Sequence, residues 1–284
     1  MKISILCRLN QARSPFGQAV LEHFFPGFTF NSAGIDAVEY AEASAEVRLV
    51  AEDWNLPTLK PQSEGLLTRK DHIVNSDLVI LAESSMDVPL RSLGFKGKSF
   101  PFNALKIDSS FIPIDPLGLP FRKLRLELAK VAYCSVQAMR IYLNKTSMNL
   151  ISTVIPQSEA DTAFAYAYSK LERQISGGVI IDADFRSPAV RHYSSELDIE
   201  YIDVANFKKV EIAKIGPRTV LAPGREYSNP ESILLSHGWK NLLDTIRETM
   251  PIYIVSAPRQ TDEKSLADPY LCAIWADNVI IINS

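Results

Sequence analysis

Short apolar runs alternate along the chain with stretches whose apolar residues recur at helical spacing. Residues 2–6 form the first run and read as a strand, and residues 15–25 follow with apolar positions three and four apart, the period of one helix face. Residues 28–31 read as a second strand, and residues 41–54, rich in Ala, Glu and Val, as a second helix. Residues 78–82 contain no polar position, the pattern of a strand buried on both faces. Residues 121–143 are a long amphipathic helix. Strands that alternate with helices predict a parallel sheet of the α/β class.

The run Asn144-Lys145-Thr146-Ser147 is polar and has no period, and it marks a boundary. A second series follows: strand 149–154, helix 160–174, strands 178–183 and 218–222, helix 230–248, and strands 252–256 and 277–283. The expected architecture is two three-layer α/β domains, residues 1–143 and 147–284, each with a largely parallel sheet.

Composition narrows the function classes. At 284 residues the chain is long enough for two domains, and its 46% hydrophobic content excludes an intrinsically disordered polypeptide. The formal net charge is −3 and no Lys/Arg run stands out, so the electrostatic footprint of a nucleic-acid binder is missing. The longest apolar strings, such as 279–282, are strand-length, well short of the ~18 residues of a membrane span. Arg8, Asn10, Gln11 and Arg13 interrupt the N-terminal apolar run, which therefore does not read as a signal peptide. Three widely spaced cysteines, Cys7, Cys134 and Cys272, give neither a disulfide framework nor a Cys-rich zinc site, and a reducing cytoplasm is the expected compartment.

Cys7 has unusual neighbours. Cys7-Arg8-Leu9-Asn10-Gln11-Ala12-Arg13-Ser14-Pro15 spans the junction of the first strand and first helix. Such a junction turns backbone N–H groups and the positive end of a helix dipole into the loop, which suits a phosphate. The same field, with the charge of Arg13, favours a thiolate at Cys7, the nucleophilic form. Arg13 has a planar fork that holds two phosphate oxygens at once. Ser14 can hydrogen-bond the thiolate and help it leave, and Asn10 tolerates the left-handed backbone that a tight anion loop requires.

This stretch resembles the signature of the low-molecular-weight protein tyrosine phosphatases: Cys, five residues, then Arg-Ser, directly after the first strand. Asn10 and Pro15 match the family, as do the turn Ser32-Ala33-Gly34 and the late Asp115-Pro116 before the last helix, so the resemblance covers about residues 1–143. It implies Cys7 as nucleophile, Arg13 as phosphate clamp and Asp115 as general acid, with Arg8, Leu9, Asn10, Gln11, Ala12 and Ser14 shaping the loop. Two positions depart from the pattern. Leu9 replaces a glycine, which predicts a loop less free to take the family's backbone shape. Ala12 replaces the loop's common second cysteine, which removes a redox partner and no catalytic group.

The second half resembles bacterial tyrosine kinases, P-loop proteins, in a different way. Val179-Ile180-Ile181-Asp182-Ala183-Asp184-Phe185-Arg186 looks like their second acidic motif, and residues 149–156 look like the strand and proline that introduce a phosphate loop. Residues 229–235 look like their Asn-Pro helix start, and residues 254–258 occupy the place of their second aspartate-bearing strand. The loop chemistry is missing. Gln157, Glu159 and Ala160 stand where glycines and a lysine would cradle phosphate, and Ser256 replaces the magnesium-binding aspartate. Asp182 and Asp184 remain without a phosphate site, so neither nucleotide binding nor a metal is expected there.

The resemblances together imply a protein-tyrosine phosphatase working through a phosphocysteine without metal or organic cofactor, fused to a catalytically inactive kinase-like domain. The implied partners are a phosphotyrosine protein and a bacterial tyrosine kinase in exopolysaccharide or capsule control, with homo- or hetero-oligomers formed through the second domain. Two other readings stand beside it. One is a non-catalytic regulatory or scaffold protein of such a kinase system, which Leu9 in the loop keeps open. The other is an arsenate reductase, for which residues 77–100 lack the cysteine pair of an internal disulfide relay.

Overall fold

The computed structural model describes residues 1–105, 111–143, 150–156, 167, 170, 178–183, 185, 200–203, 219–222, 227–256 and 267–282. The chain divides into two compact units, Met1–Lys145 and Thr146–Ser284.

The first unit runs β1 (Lys2–Cys7), α1 (Arg13–Phe24), β2 (Thr29–Gly34), α2 (Ala45–Asp53), α3 (Lys70–Val74), β3 (Leu78–Leu81), α4 (Asp87–Ser92), β4 (Lys98–Pro101) and α5 (Phe121–Tyr142). Its four strands are ordered β2-β1-β3-β4, and every pair is parallel. The apolar runs explain the centre: Ile3, Ile5 and Leu6 of β1 and all of Leu78, Val79, Ile80 and Leu81 are buried. Helix α1 packs against α5 at Gly17, where an added Cβ would lie 2.9 Å from Ser135 Oγ, so a glycine permits that approach. Phe16 on α1 meets Trp54 edge-on with ring centroids 5.6 Å apart, which ties α2 to the same layer.

The topology marks one place on this sheet. From β1 the chain crosses to β2 on one side, and from β3 it crosses to β4 on the other. Right-handed crossovers then put α1 and α4 on opposite faces, and the carboxyl ends of β1 and β3 flank a crevice. Cys7 ends β1, and Ala82-Glu83 follows β3.

The second unit contains β5 (Ile151–Pro156), β6 (Val179–Asp182), β7 (Glu200–Asp203), β8 (Thr219–Ala222), α6 (Pro230–Leu234), α7 (His237–Arg247), β9 (Ile252–Val255), α8 (Asp268–Cys272) and β10 (Asn278–Ile282). Its six strands are ordered β10-β5-β9-β6-β8-β7, again with parallel pairs throughout. Both units are therefore α/β with parallel sheets, as the alternating pattern predicts.

Two helices differ from expectation. The helix expected over residues 41–54 starts only at Ala45. Residues before it are drawn into pairing instead: Glu42 bridges Gln62, and Ser44 N–H donates to the Gln11 carbonyl at 3.0 Å. The single helix expected over residues 230–248 is two. Ser236 interrupts it and caps the second part, its Oγ accepting from Trp239 N–H at 3.0 Å. The helix expected over residues 160–174 lies outside the described residues.

Candidate active site at the carboxyl edge of the first sheet

Cys7 is buried at 3% exposure at the end of β1. Its Sγ receives the Asn10 N–H at 3.2 Å and lies 2.9 Å from Ser14 Oγ. The Asn10 N–H thus donates to the sulfur, and the Ser14 hydroxyl lies in hydrogen-bond contact with it. Asn10 holds the turn. Its φ is +55°, the left-handed region that Asn tolerates better than most residues. Its Nδ2 donates to Ser14 Oγ at 2.8 Å, and its Oδ1 accepts Glu64 N–H at 2.9 Å. Glu64 is fixed in turn by ion pairs to Lys60 and Arg69.

Leu9 does not have a positive φ; Asn10 carries the loop's left-handed backbone. The side chain at position 9 is therefore compatible with this loop shape. The close approach falls on Gly34 at the end of β2. A Cβ there would sit 2.8 Å from the Arg8 carbonyl oxygen and 2.9 Å from Asn10 N. The Ser32-Ala33-Gly34 turn thus acts as a wall against which the loop lies, and the Ile35 and Asp36 N–H groups bond the Cys7 and Arg8 carbonyls at 3.0 and 2.9 Å.

Helix α1 begins at Arg13, and its N-cap position is Ala12, which offers no side-chain acceptor. The first-turn amides remain directed into the loop. Among the described residues, the N–H groups of Leu9, Gln11 and Ala12 also donate to no acceptor. A run of such amides at a helix start forms a nest for an oxyanion.

Arg13 is buried, its side chain 3% exposed, and both its terminal nitrogens are engaged. One donates to Glu83 Oε1 at 2.7 Å and the other to Asp115 Oδ2 at 2.9 Å. Asp115 also accepts the Leu117 N–H on its Oδ1 at 3.3 Å. The structure therefore brings Cys7, Asn10, Arg13 and Ser14 into one cluster and joins Asp115 to it through Arg13, across 102 positions of sequence. Arg8 points outward and pairs with Asp36 at 3.2 Å. Gln11 contributes its carbonyl to Ser44, and Ala12 is buried. A cleft of about 270 Å³ beside the loop is lined by Arg8, Ile35, Asp36, Glu83, Ser85, Met86 and Pro89.

Glu83 and Asp36 do not follow from the sequence reading. The available signal is positional: Glu83 is the first charged residue after an all-apolar strand, at a carboxyl edge where parallel sheets place their ligands. Of the other thiols, Cys134 is fully buried on α5, and burial pushes it far above the ordinary thiol range. Cys272 is likewise fully buried.

In the second unit, Asp182 ends β6 and is buried at 2%, and Ser256 follows β9 at 1%, its N–H donating to the Val154 carbonyl at 3.2 Å. Gln157, Glu159, Ala160 and Asp184 lie outside the described residues. No group of three or more His, Cys, Asp or Glu that could hold a metal occurs among the described residues. No described helix is long and apolar enough to cross a membrane.

No protein-family model matches the chain. No curated protein matches it either. Solved structures do. The YwlE arginine phosphatase from Geobacillus stearothermophilus is 24% identical, with 51% of this chain and 98% of that chain covered and a TM-score of 0.42. The tyrosine phosphatase amsI from Erwinia amylovora is 20% identical, covering 49% of this chain and 91% of its own, with a TM-score of 0.44. The tyrosine phosphatase Wzb from Escherichia coli K30, in complex with sulphate, is 21% identical, covering 50% and 97%, with a TM-score of 0.43. The covered part of this chain is its N-terminal half.

Proposed function

We propose that the first unit is a phosphatase of the low-molecular-weight tyrosine phosphatase kind and acts through a phosphocysteine. The observation that carries this reading is one strand-to-helix loop that holds the Cys7 sulfur against Ser14 Oγ and the Asn10 N–H and, at its helix start, a buried Arg13 guanidinium with the Asp115 carboxyl on one of its nitrogens. Cys7 Sγ attacks phosphorus in line with the ester oxygen. The S–P bond forms as the P–O bond breaks, and protonated Asp115 delivers its proton to the leaving oxygen. Arg13 and the loop amides carry the charge of the equatorial oxygens. Water then attacks the phosphocysteine, Asp115 takes its proton, and Cys7 leaves as a thiolate that Ser14 and the Asn10 amide stabilise. No metal or organic cofactor is assigned a step.

The substrate is a phosphotyrosine protein in this reading. A second substrate class, a phosphorylated guanidinium whose P–N bond breaks to release the guanidine with the proton from Asp115, is favoured by one observation: among the described residues, the cleft beside the loop is lined by two carboxylates, Asp36 and Glu83, and no aromatic side chain. The second unit serves docking or regulation without catalysis, with a bacterial tyrosine kinase as its partner and exopolysaccharide or capsule control as its setting. Tethering at about millimolar effective concentration brings the phosphatase to such a partner's phosphotyrosines.

Release of p-nitrophenol from p-nitrophenyl phosphate tests the activity. Turnover in the wild type that Cys7→Ser lowers by about 10⁴-fold or more supports the reading. Wild type and Cys7→Ser alike in rate would return the chain to a non-catalytic regulatory role. Phosphotyrosine and phosphoarginine peptides in the same assay rank the two leaving groups.

A further inference from the structure

The segment that carries Asp115 is fastened to α5. Phe111 is buried at 2%, its ring lies edge-on to Tyr133 at 5.0 Å, and its carbonyl accepts the Cys134 thiol at 3.5 Å. Three residues on, the fastening changes kind. Ile114 is 59% exposed, and its backbone N–H donates to Glu127 Oε2 at 2.8 Å. Glu127 is 5% exposed, and its other oxygen takes the Lys130 ammonium at 2.8 Å. Asp115 comes next, followed by Pro116, which restricts the Asp115 backbone to extended conformations.

We infer that Glu127 is a positioning residue that holds the Ile114 amide and thereby aims the Asp115 carboxyl at the Arg13 end of the loop. The inference rests on the phosphatase reading and adds to it a residue of α5, 13 positions from Ile114 in the chain. The chemistry suits the task. A carboxylate acceptor makes a shorter, stronger bond to N–H than a neutral one, and its two oxygens serve the amide and Lys130 at once. Lys130, one turn on, supplies the charge that a buried carboxylate needs. Among the described residues, the Ile114 bond is the backbone tie next to Asp115 in the chain, with the Phe111 carbonyl four residues back and Pro116 on the other side. A shift near 1 Å in a reacting group costs up to about 10²-fold in rate.

Two variants and two substrates test this. Glu127→Ala removes the acceptor; Glu127→Gln keeps one oxygen for the Ile114 amide and the same length. Phenyl phosphate has a leaving group that needs protonation, while 2,4-dinitrophenyl phosphate has one that leaves without it. Glu127→Ala is expected to lower kcat/KM, which reports the steps up to phosphocysteine formation, on phenyl phosphate by about 10- to 100-fold and on the dinitrophenyl ester by under about threefold. Glu127→Gln is expected to recover most of the loss. General loosening of the fold would lower both substrates alike, and that result overturns the inference. In an Asp115→Asn background the Glu127→Ala loss should vanish, since the two act as one unit.

Amide exchange of the wild type supplies a readout independent of activity and of variant folding. The Ile114 N–H should exchange slowly despite its exposed side chain; fast exchange there overturns the inference. Wild-type turnover with an unimpaired Glu127→Ala on phenyl phosphate refutes the positioning role and leaves the phosphatase reading intact. A wild type inactive on every phosphate ester overturns both.

Discussion

In the first sheet β1 ends on Cys7 beside β3, which leads to Glu83; in the second, β5 ends on Pro156 beside β9, which leads to Ser256. Both pairs are adjacent parallel strands whose onward connections run to opposite sides of the sheet, so both edges are places where an α/β fold offers a crevice. The first edge is armed. A thiol, a buried arginine, two carboxylates on that arginine and a helix start without a capping side chain all meet there. The second edge presents Asp182 and Ser256, both buried, and its sequence after β5, Pro156-Gln157-Ser158-Glu159-Ala160-Asp161-Thr162, has neither glycine nor cation. Fold supplies the crevice, and the residues in the connecting loop decide whether an anion is held there.

The sharpest way to break the contrast after the nucleophile itself is the acid. Asp115→Asn should lower kcat/KM for phosphotyrosine, which reports the steps up to phosphocysteine formation, by about 10²- to 10⁴-fold, the worth of a positioned proton donor. The loss should shrink as the leaving phenol becomes more acidic. A loss independent of leaving group would make Asp115 a structural partner of Arg13 alone, and the first edge would then lack an acid.

A smaller effect sharpens the same comparison at Glu83. Arg13 cannot give both nitrogens to phosphate while it holds two carboxylates, so an incoming phosphate competes with Glu83. The Glu83 side chain is 50% exposed, which limits the ion pair to about 0–1 kcal/mol. Glu83→Gln should therefore tighten competitive inhibition by inorganic phosphate by about two- to fivefold. Weaker inhibition instead would show that Glu83 orients Arg13 rather than competing for it.

Legibility followed locality. The loop from Cys7 to Ser14 is contiguous, and the central strands β1, β3, β6 and β9 are short and dominated by apolar residues, so their chemistry and burial were both readable. Strands β4 and β7 were not, and they stand at the edges of their sheets. Lys98-Ser99-Phe100-Pro101 is only partly buried, and its pairing with β3, not its own pattern, makes it a strand. Glu83 and Glu127 were invisible for another reason. Each acts on a partner that the fold brings near, Arg13 from 70 positions away and the Ile114 amide from 13, and neither carries a local motif. The late start of α2 has the same origin, because pairing of Glu42 with Gln62 outweighs the helical preference of the residues around it.

The smallest expected effect is a null one, and it bears on the second edge. Nucleotide binding at the end of β5 would need loop amides that glycine lets approach the phosphates, a cation among them, and a carboxylate for magnesium at the end of β9. The run from Pro156 to Thr162 offers two carboxylates and no cation, and β9 leads to Ser256. At an effective dielectric near 20, a pair of unit charges 4 Å apart interacts by about 4 kcal/mol, and replacing attraction by repulsion changes the sign of that quantity. Even a quarter of it weakens binding by about fivefold for each charge changed. Asp182 cannot restore the balance, because it is buried at 2% and a further negative group. Titration calorimetry of the intact chain with MgATP should accordingly show no micromolar isotherm. A saturable one would equalise the two edges and make the second unit nucleotide-dependent.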